Sequence, residues 1–383
     1  MDLTLSGEHE TLRATVEDFA RKEVAPVIGE FYERGEFPYE IVAKMGAMGL
    51  FGLPFDEEHG GMGGDYFALC LALEELARVD SSVAITLEAG VSLGAMPIYR
   101  FGSEEQKREW LPALVAGERL GAFGLTEPGG GSDAGATRTT ARLDGDEWVI
   151  NGSKAFITNS GTDITSVVTV TAITGGTDAA GRREISAIMV PAGTPGFRVS
   201  QKYSKVGWSA SDTRELFFDD CRVPAGNLLG QRGRGYAQFL SILDEGRIAI
   251  AALSVGLAQG CVDESVRYAH EREAFGRPIG SYQAIQFKIA DMEARAHTAR
   301  LAYYAAAAKM LAGEPFKKEA AIAKLVASNA AMDNARDATQ VFGGYGFMNE
   351  YPVGRFYRDA KILEIGEGTS EVQRMLIARQ LGL

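Results

Sequence analysis

Leu12, Val16, Phe19 and Ala20 recur at the three- and four-residue spacing of one helix face, and Ser6 stands where an N-terminal cap belongs. The same kind of spacing runs to about residue 120. Within it, Ser103 and Gln106 match a capping box opening the helix that carries Trp110. Between about 121 and 229 the pattern shortens to runs rich in β-branched residues, EWVING, TSVVTV, EISAIMV and TRELFF, parted by Gly, Pro and Asp. Such runs predict strands, with GGTDAAGRRE as an exposed hairpin tip. Beyond Gly230 the helical spacing returns, as in Ile322, Leu325 and Val326, and abundant alanine favours helix to the end. The pattern predicts an α+β protein with a helical segment at 1–120, a β segment at 121–229 and a second helical segment at 230–383, without internal repeats.

At 383 residues the chain exceeds what one hydrophobic core usually organises, so two or three packed units are expected. A net charge of −12 argues against nucleic acid, whose binding rests on neutralising phosphates with Lys and Arg. Cys70, Cys221 and Cys261 are far apart and form no CxxC pair, which fits buried thiols in a reducing compartment. His9, His59, His270 and His297 show no HExxH-like spacing, so neither a metal site nor a Ser-His-Asp hydrolase is expected. The start, MDLTLSGEHETLR, lacks a basic stretch followed by an apolar one, and no uncharged apolar run reaches a membrane span. A cytoplasmic protein free of the membrane is the expectation.

Glu367 lies between Gly366 and Gly368 and just ahead of Thr369 and Ser370. Flanking residues without a Cβ let a backbone pack close to a ligand, which suits a general base facing a substrate. A solvated Glu in a turn, with Thr369 or Ser370 capping the next helix, is the competing reading. A dinucleotide-binding turn is excluded, because too little chain follows for the second strand and acidic residue it needs. Elsewhere, GAFGLTEPGGGSD offers backbone N–H groups and hydroxyls to a polar heterocycle or phosphate. In KAFITNSG, Phe156 is placed to stack and Thr158 to donate, although Phe156 as plain core fits equally. LDEGRIAI sets Asp244, Glu245 and Arg247 within one helical turn, the spacing of ordinary intrahelical pairs. YAHEREAFGRPIGSYQAIQFK combines Arg272, Phe275 and Gln283, and arginine suits bidentate contact with pyrophosphate. ATQVFGGYGFMNEYP closes a helix with Gln340 and the pair Gly343 and Gly344.

Taken together and in this order, LTEPGGGSD, FITN, SDTRELFFDDCRVP, REAFGRPI, QVFGGYGF, YRDAKI and EGTSEVQR resemble the acyl-CoA dehydrogenases over essentially the whole chain, the short-chain, butyryl-CoA dehydrogenase-like branch most. The resemblance implies an N-terminal helical domain, a middle β-barrel-like domain and a C-terminal four-helix bundle. It implies FAD between the last two, and a homotetramer built as a dimer of dimers. Phe123, Leu125, Thr126, Gly131 and Ser132 would hold the flavin, with Ser132 also touching CoA. Phe156, Ile157 and Thr158 would line its ring. Arg272, Phe275, Gln283, Gln340, Val341, Gly343 and Gly344 would reach the FAD of a neighbouring subunit, while Thr369 and Glu371 bind the chain's own. Asp244, Arg247 and Gly368 would contact the substrate. The implied reaction is α,β-dehydrogenation of an acyl-CoA thioester, with Glu367 as base, flavin N5 as hydride acceptor and an electron-transfer flavoprotein as electron acceptor.

Two departures from the family pattern bear on this. Many relatives carry an aromatic residue before the base where this chain has Gly366, which widens the pocket toward branched acyl groups unless the backbone there needs a positive φ. Some place the base on the LDEGRI helix, where this chain has Gly246 beside Glu245, leaving Glu367 the better candidate. An oxidase of the same fold returning electrons to oxygen, and a non-catalytic CoA- or flavin-binding protein, are the alternatives.

Overall fold

The structure, a computed structural model, describes residues 4–177, 181 and 183–383. Seven helices come first: α1 (Gly7–Phe19), α2 (Ile28–Arg34), α3 (Tyr39–Ala47), α4 (Tyr66–Ala77), α5 (Ser81–Glu88), α6 (Met96–Phe101) and α7 (Glu104–Val115). The starts of α1 and α7 follow the caps legible in the chain. Ser6 accepts from the His9 N–H at 3.2 Å, and Ser103 and Gln106 form the reciprocal capping box. Val16, Phe19 and Ala20 are buried, with Leu12 packed beside them. A wide π-helical turn, Ala89–Ala95, joins α5 to α6 into one continuous helix, Ser81–Phe101. That helix is long and apolar enough to cross a membrane by length and composition, but 94% of its apolar 18-residue stretch is buried inside the protein, as in a core helix.

Eight strands follow: β1 (Leu120–Gly124), β2 (Thr140–Asp144), β3 (Glu147–Thr158), β4 (Thr165–Thr177), β5 (Arg183–Pro191), β6 (Phe197–Val199), β7 (Thr213–Pro224) and β8 (Leu228–Leu229). They form one sheet in the order β6-β7-β3-β2-β4-β5-β8, with β1 pairing in parallel with β4. β4 and β5 are antiparallel, Thr177 opposite Arg183, and the expected hairpin tip falls partly outside the described residues. The sheet keeps its own apolar cluster, including Trp148, Ile150, Val170, Leu216 and Phe218.

Three long helices, α8 (Gly235–Glu271), α9 (Gln283–Leu311) and α10 (Lys317–Phe342), then pack with α11 (Pro352–Leu363) and α12 (Ser370–Gln380). On α10 the fully buried positions include Ala320, Ala323, Lys324, Ala327, Ala331, Ala335 and Ala338, whereas Ile322, Leu325 and Val326 are only half-buried. Small side chains on the inner face allow helix axes to approach closely, so the large apolar residues that signal the helix in the sequence lie toward its flank. One continuous core joins α4, α5 and the π turn to α8, α10 and β1.

All three segments meet at Asp359 of α11. Its Oδ1 accepts from Tyr32 Oη at 2.6 Å and from the Trp208 N–H at 2.7 Å, and its Oδ2 accepts from Ser81 Oγ at 2.7 Å. Beside it, Arg355 pairs with Asp80 at 2.8 Å.

Candidate active site

Glu367 sits in the turn between α11 and α12 with φ of 51°, and Gly368 follows at 94°. The left-handed backbone therefore falls on Glu367 and Gly368. Gly366 is outside that region, and a Cβ there would meet nothing nearer than the Ile362 carbonyl at 3.4 Å. Three groups fix the turn. Lys324 Nζ donates to the Gly368 carbonyl at 2.8 Å, Gln373 Nε2 donates to the same oxygen at 2.8 Å, and Thr369 caps α12 by accepting from the Val372 N–H at 3.3 Å. Lys324 is wholly buried, and burial brings its ammonium down to about 8. The Glu367 N–H donates to no described group, which leaves it available to an incoming oxygen.

As a residue Glu367 is half-buried, yet both of its carboxyl oxygens are out of solvent and without a hydrogen-bond donor. Burial pushes this carboxyl up to about 7, against the opposing pull of Glu88, Lys324 and Arg247. Its close neighbour is Glu88, the last residue of α5, which is 0% exposed and whose oxygens are likewise unpartnered. Burial first, and then Glu367, push Glu88 well above the usual carboxyl range. Gly246 of α8 faces both acids: a Cβ there would clash with Glu367 Oε2 and lie 3.9 Å from Glu88 Oε1. A side chain at 246 would displace the Glu367 carboxyl from where it lies, whereas Glu88 stands at ordinary contact distance.

Glu88 and Lys324 are missed by sequence reasoning. The available signal was a single acid in the apolar stretch SSVAITLEAGVSLGAMPI and a single lysine in AAIAKLVA. Neither spacing says which distant residue each would meet.

The charged turn of α8 divides into separate tasks. Arg247 pairs with Asp244, which also lies 3.2 Å from Lys317. Glu245 pairs with Arg100 of α6 at 2.6 Å; burial raises its carboxyl to about 7 while Arg100 opposes that rise. Glu245 is thus engaged with a cation, whereas Glu367, with Lys324 and Arg247 nearby, forms no ion pair among the described residues.

The glycine-rich loop after β1 is anchored by Glu127. Its Oε1 accepts from Lys154 Nζ at 2.8 Å, from the Thr139 N–H at 3.0 Å and from Thr137, and its Oε2 accepts from the Arg138 N–H at 2.7 Å. Burial works against the charge, but these donors hold the Glu127 carboxyl down to about 2. Phe123 and Leu125 are buried, Phe123 stacking on Phe239 of α8 at 3.8 Å, while Gly131 and Ser132 are exposed. The Ala155 N–H donates to the Thr126 carbonyl at 2.8 Å, which binds this loop to the end of β3. There Ile157 is buried, Thr158 is half-buried and Phe156, at φ of 61°, is 66% exposed. An aromatic ring held out at that exposure by a left-handed backbone is not core. A loop with free N–H groups beside a presented ring and a half-buried hydroxyl fits a flat polar heterocycle.

The remaining expected residues gather elsewhere. Arg272 ends α8, its guanidinium 5.6 Å from the Tyr345 ring centroid, and among the described residues it forms no ion pair. Phe275 is 96% exposed on the short hairpin that follows, Gln283 opens α9 and is exposed, and Gln340, Gly343 and Gly344 are exposed at the end of α10, with Val341 buried. Lys324 and Gln340 stand near opposite ends of α10, about 24 Å apart at the helical rise per residue. The structure therefore brings Glu367, Gly368, Thr369 and Arg247 together in one place and sets the Arg272–Gln340 group in another. Glu371 lies on α12 and is exposed.

Three family models together match nearly the whole chain: the acyl-CoA dehydrogenase N-terminal domain over residues 6–118, the middle domain over 122–221 and the C-terminal domain over 233–382. A probable acyl-CoA dehydrogenase of Bacillus subtilis is 51% identical, with all of both chains covered. Among solved structures, butyryl-CoA dehydrogenase from Megasphaera elsdenii superposes with a TM-score of 0.96 at 43% identity over all of both chains. A chain from a structure on the electron transferring flavoprotein of Acidaminococcus fermentans reaches 0.95 at 44%, covering 100% of this chain and 99% of that one. An acyl-CoA dehydrogenase complexed with FAD from Bacillus anthracis reaches 0.91 at 36%, covering 98% of this chain and 67% of that one.

Proposed function

The chain belongs to the acyl-CoA dehydrogenase family, and from that membership we propose that it converts a short acyl-CoA thioester to the trans-2-enoyl-CoA, with electrons passing to an electron-transfer flavoprotein. The observation that carries this reading is Glu367: a carboxyl removed from water, brought to about 7 by burial, beside its own unused N–H. An α-proton next to a thioester is weakly acidic, so its removal needs a base with a matched pKa and donors for the developing enolate oxygen. Glu367 takes the proton, and its N–H is one donor for the oxygen. Because the base must be ionised, kcat/KM is expected to fall as pH drops below about 7.

FAD, when bound, supplies the hydride acceptor at N5. Thr126, Gly131 and Ser132 would hold it through the loop, with Phe156 and Thr158 against the ring system, and Ser132 would also meet CoA. Asp244 and Arg247 belong to the substrate-facing turn. Gly366 carries no side chain beside the base, and a Cβ there would meet only Ile362, which favours a branched acyl group as an acceptable substrate.

The Arg272–Gln340 group, some 24 Å along α10 from the residue that holds the base turn, serves the FAD of a neighbouring subunit in a homotetramer. The exposed Phe275, Phe287 and Phe347 supply apolar surface for that assembly. Replacing Arg272 by Ala is expected to reduce FAD content and oligomer size together, since a bidentate charged contact is lost. Absorbance and sedimentation read both, and an unchanged variant would leave Arg272 a surface residue stacked on Tyr345. The acidic composition and three buried free thiols fit a cytoplasmic setting.

The direct test is anaerobic titration of the yellow holoprotein with straight, branched and aromatic acyl-CoAs. Bleaching of the flavin band by a short thioester, with little peroxide when air is admitted, is the expected result. Rapid peroxide formation would make it an oxidase, and no bleaching by any thioester would end the dehydrogenase reading.

A further inference from the structure

We propose that Glu88 is a positioning residue for Glu367, a carboxylic acid that donates its hydrogen to the base across the space left by Gly246. This rests on Glu367 being the base. Four carboxyl oxygens, two from each residue, are buried together, and among the described residues none has a partner at hydrogen-bond geometry, although Glu88 and Glu367 lie far apart in the chain. Two carboxylates in contact cannot both hold a full charge out of water, so one proton stays between them.

The surroundings decide which acid keeps it. Facing Glu367 are two cations, Arg247 from α8 and Lys324 from α10. Around Glu88 stand Ser92 from the π turn, whose hydroxyl opposes the rise that burial and Glu367 cause, and Tyr66 and Cys70 from α4, none of them a cation, with Glu245 of α8 also near Tyr66 and already paired with Arg100. Ser92 and Tyr66 bond to each other at 2.9 Å. Positive charge is thus confined to the Glu367 side, which places the negative charge on Glu367 and the proton on Glu88. The hydrogen bond then both aims the base and stabilises its ionised form, and Glu88 remains neutral through turnover.

The sign of one measurement separates this from its rivals. In Glu88→Leu the donor is lost, so the acid limb of kcat/KM should move to higher pH by about one to two units, the size of a hydrogen bond to a charged group. Glu88→Gln, whose amide N–H still donates, should keep the limb near that of the parent. A limb that moves down in Glu88→Leu would mean that Glu88 was an anion, and a limb that stays in place while rates merely scale would mean a packing role; either overturns the proposal.

A second measurement does not depend on turnover or on the leucine variant. At neutral pH the infrared difference between parent and Glu88→Gln holoprotein should contain a protonated-carboxyl C=O stretch, and that stretch should persist in Glu367→Gln. Its absence in the parent overturns the proposal. Activity retained in Glu367→Gln would instead remove the base assignment on which the proposal stands, whereas an inactive Glu367→Gln with an unshifted Glu88→Leu limb rejects the role of Glu88 alone.

Discussion

Glu367→Gln is expected to keep its flavin and bind acyl-CoA while turnover falls by about 10²–10⁴-fold, the range for removing a positioned general base. The amide preserves the volume of the side chain beside Gly246, so the loss reflects proton transfer and not repacking. Glu245→Gln is the control. Glu245 is also buried and also raised to about 7, but it is held by Arg100 of α6. A far smaller loss is expected there. Stopped-flow reduction of the flavin by butyryl-CoA reads both variants, and comparable losses, or a loss confined to Glu245→Gln, would move the base onto α8.

The largest effect on stability is expected from Asp359→Ala. Truncation strands the Tyr32 hydroxyl, the Ser81 hydroxyl and the Trp208 N–H, three donors inside the protein. An unsatisfied buried polar group costs about 1–3 kcal/mol, so the variant should lose at least about 3 kcal/mol. Asp359→Asn keeps acceptor capacity and should lose less. Thermal unfolding of the holoprotein measures this. A melting temperature for Asp359→Ala equal to that of the parent would mean that water replaces the carboxylate, and the three donors would then contribute little.

Much of the arrangement was legible in the chain because local chemistry announces it. Ser6 and Ser103 cap where their neighbours predict, the β-branched runs become β3, β4, β5 and β7, and a glycine-flanked Glu367 becomes a buried carboxyl. What was hidden depends on pairing at a distance. Ile322, Leu325 and Val326 mark α10 as a helix but not its inner face, which is set by the close approach of α8 and is lined with alanine. Gly366 and Gly368 look equivalent in sequence, yet only Gly368 and Glu367 itself take the left-handed backbone. Phe156 read equally well as core or as a presented ring, and only its 66% exposure decides. Glu88 carries no motif, and its meaning lies in Gly246, more than a hundred residues away.

The wide turn at Ala89–Ala95 makes chain length, as well as side-chain identity, a determinant of this site. A π-helical turn holds one more residue than an α-helical one, and each residue advances the helix by about 100°. The parts of Ser81–Phe101 upstream and downstream of it are therefore phased independently: Met96 and Ile98 settle into the core while Glu88 points at Gly246. Deleting a single residue from the turn would restore a regular spiral, but with Met96 kept in place Glu88 would rotate by about 100° away from the base. The acid is thus aimed by an added step in the helix, and a change in the number of residues there would alter the site while every side chain that touches the substrate stayed the same.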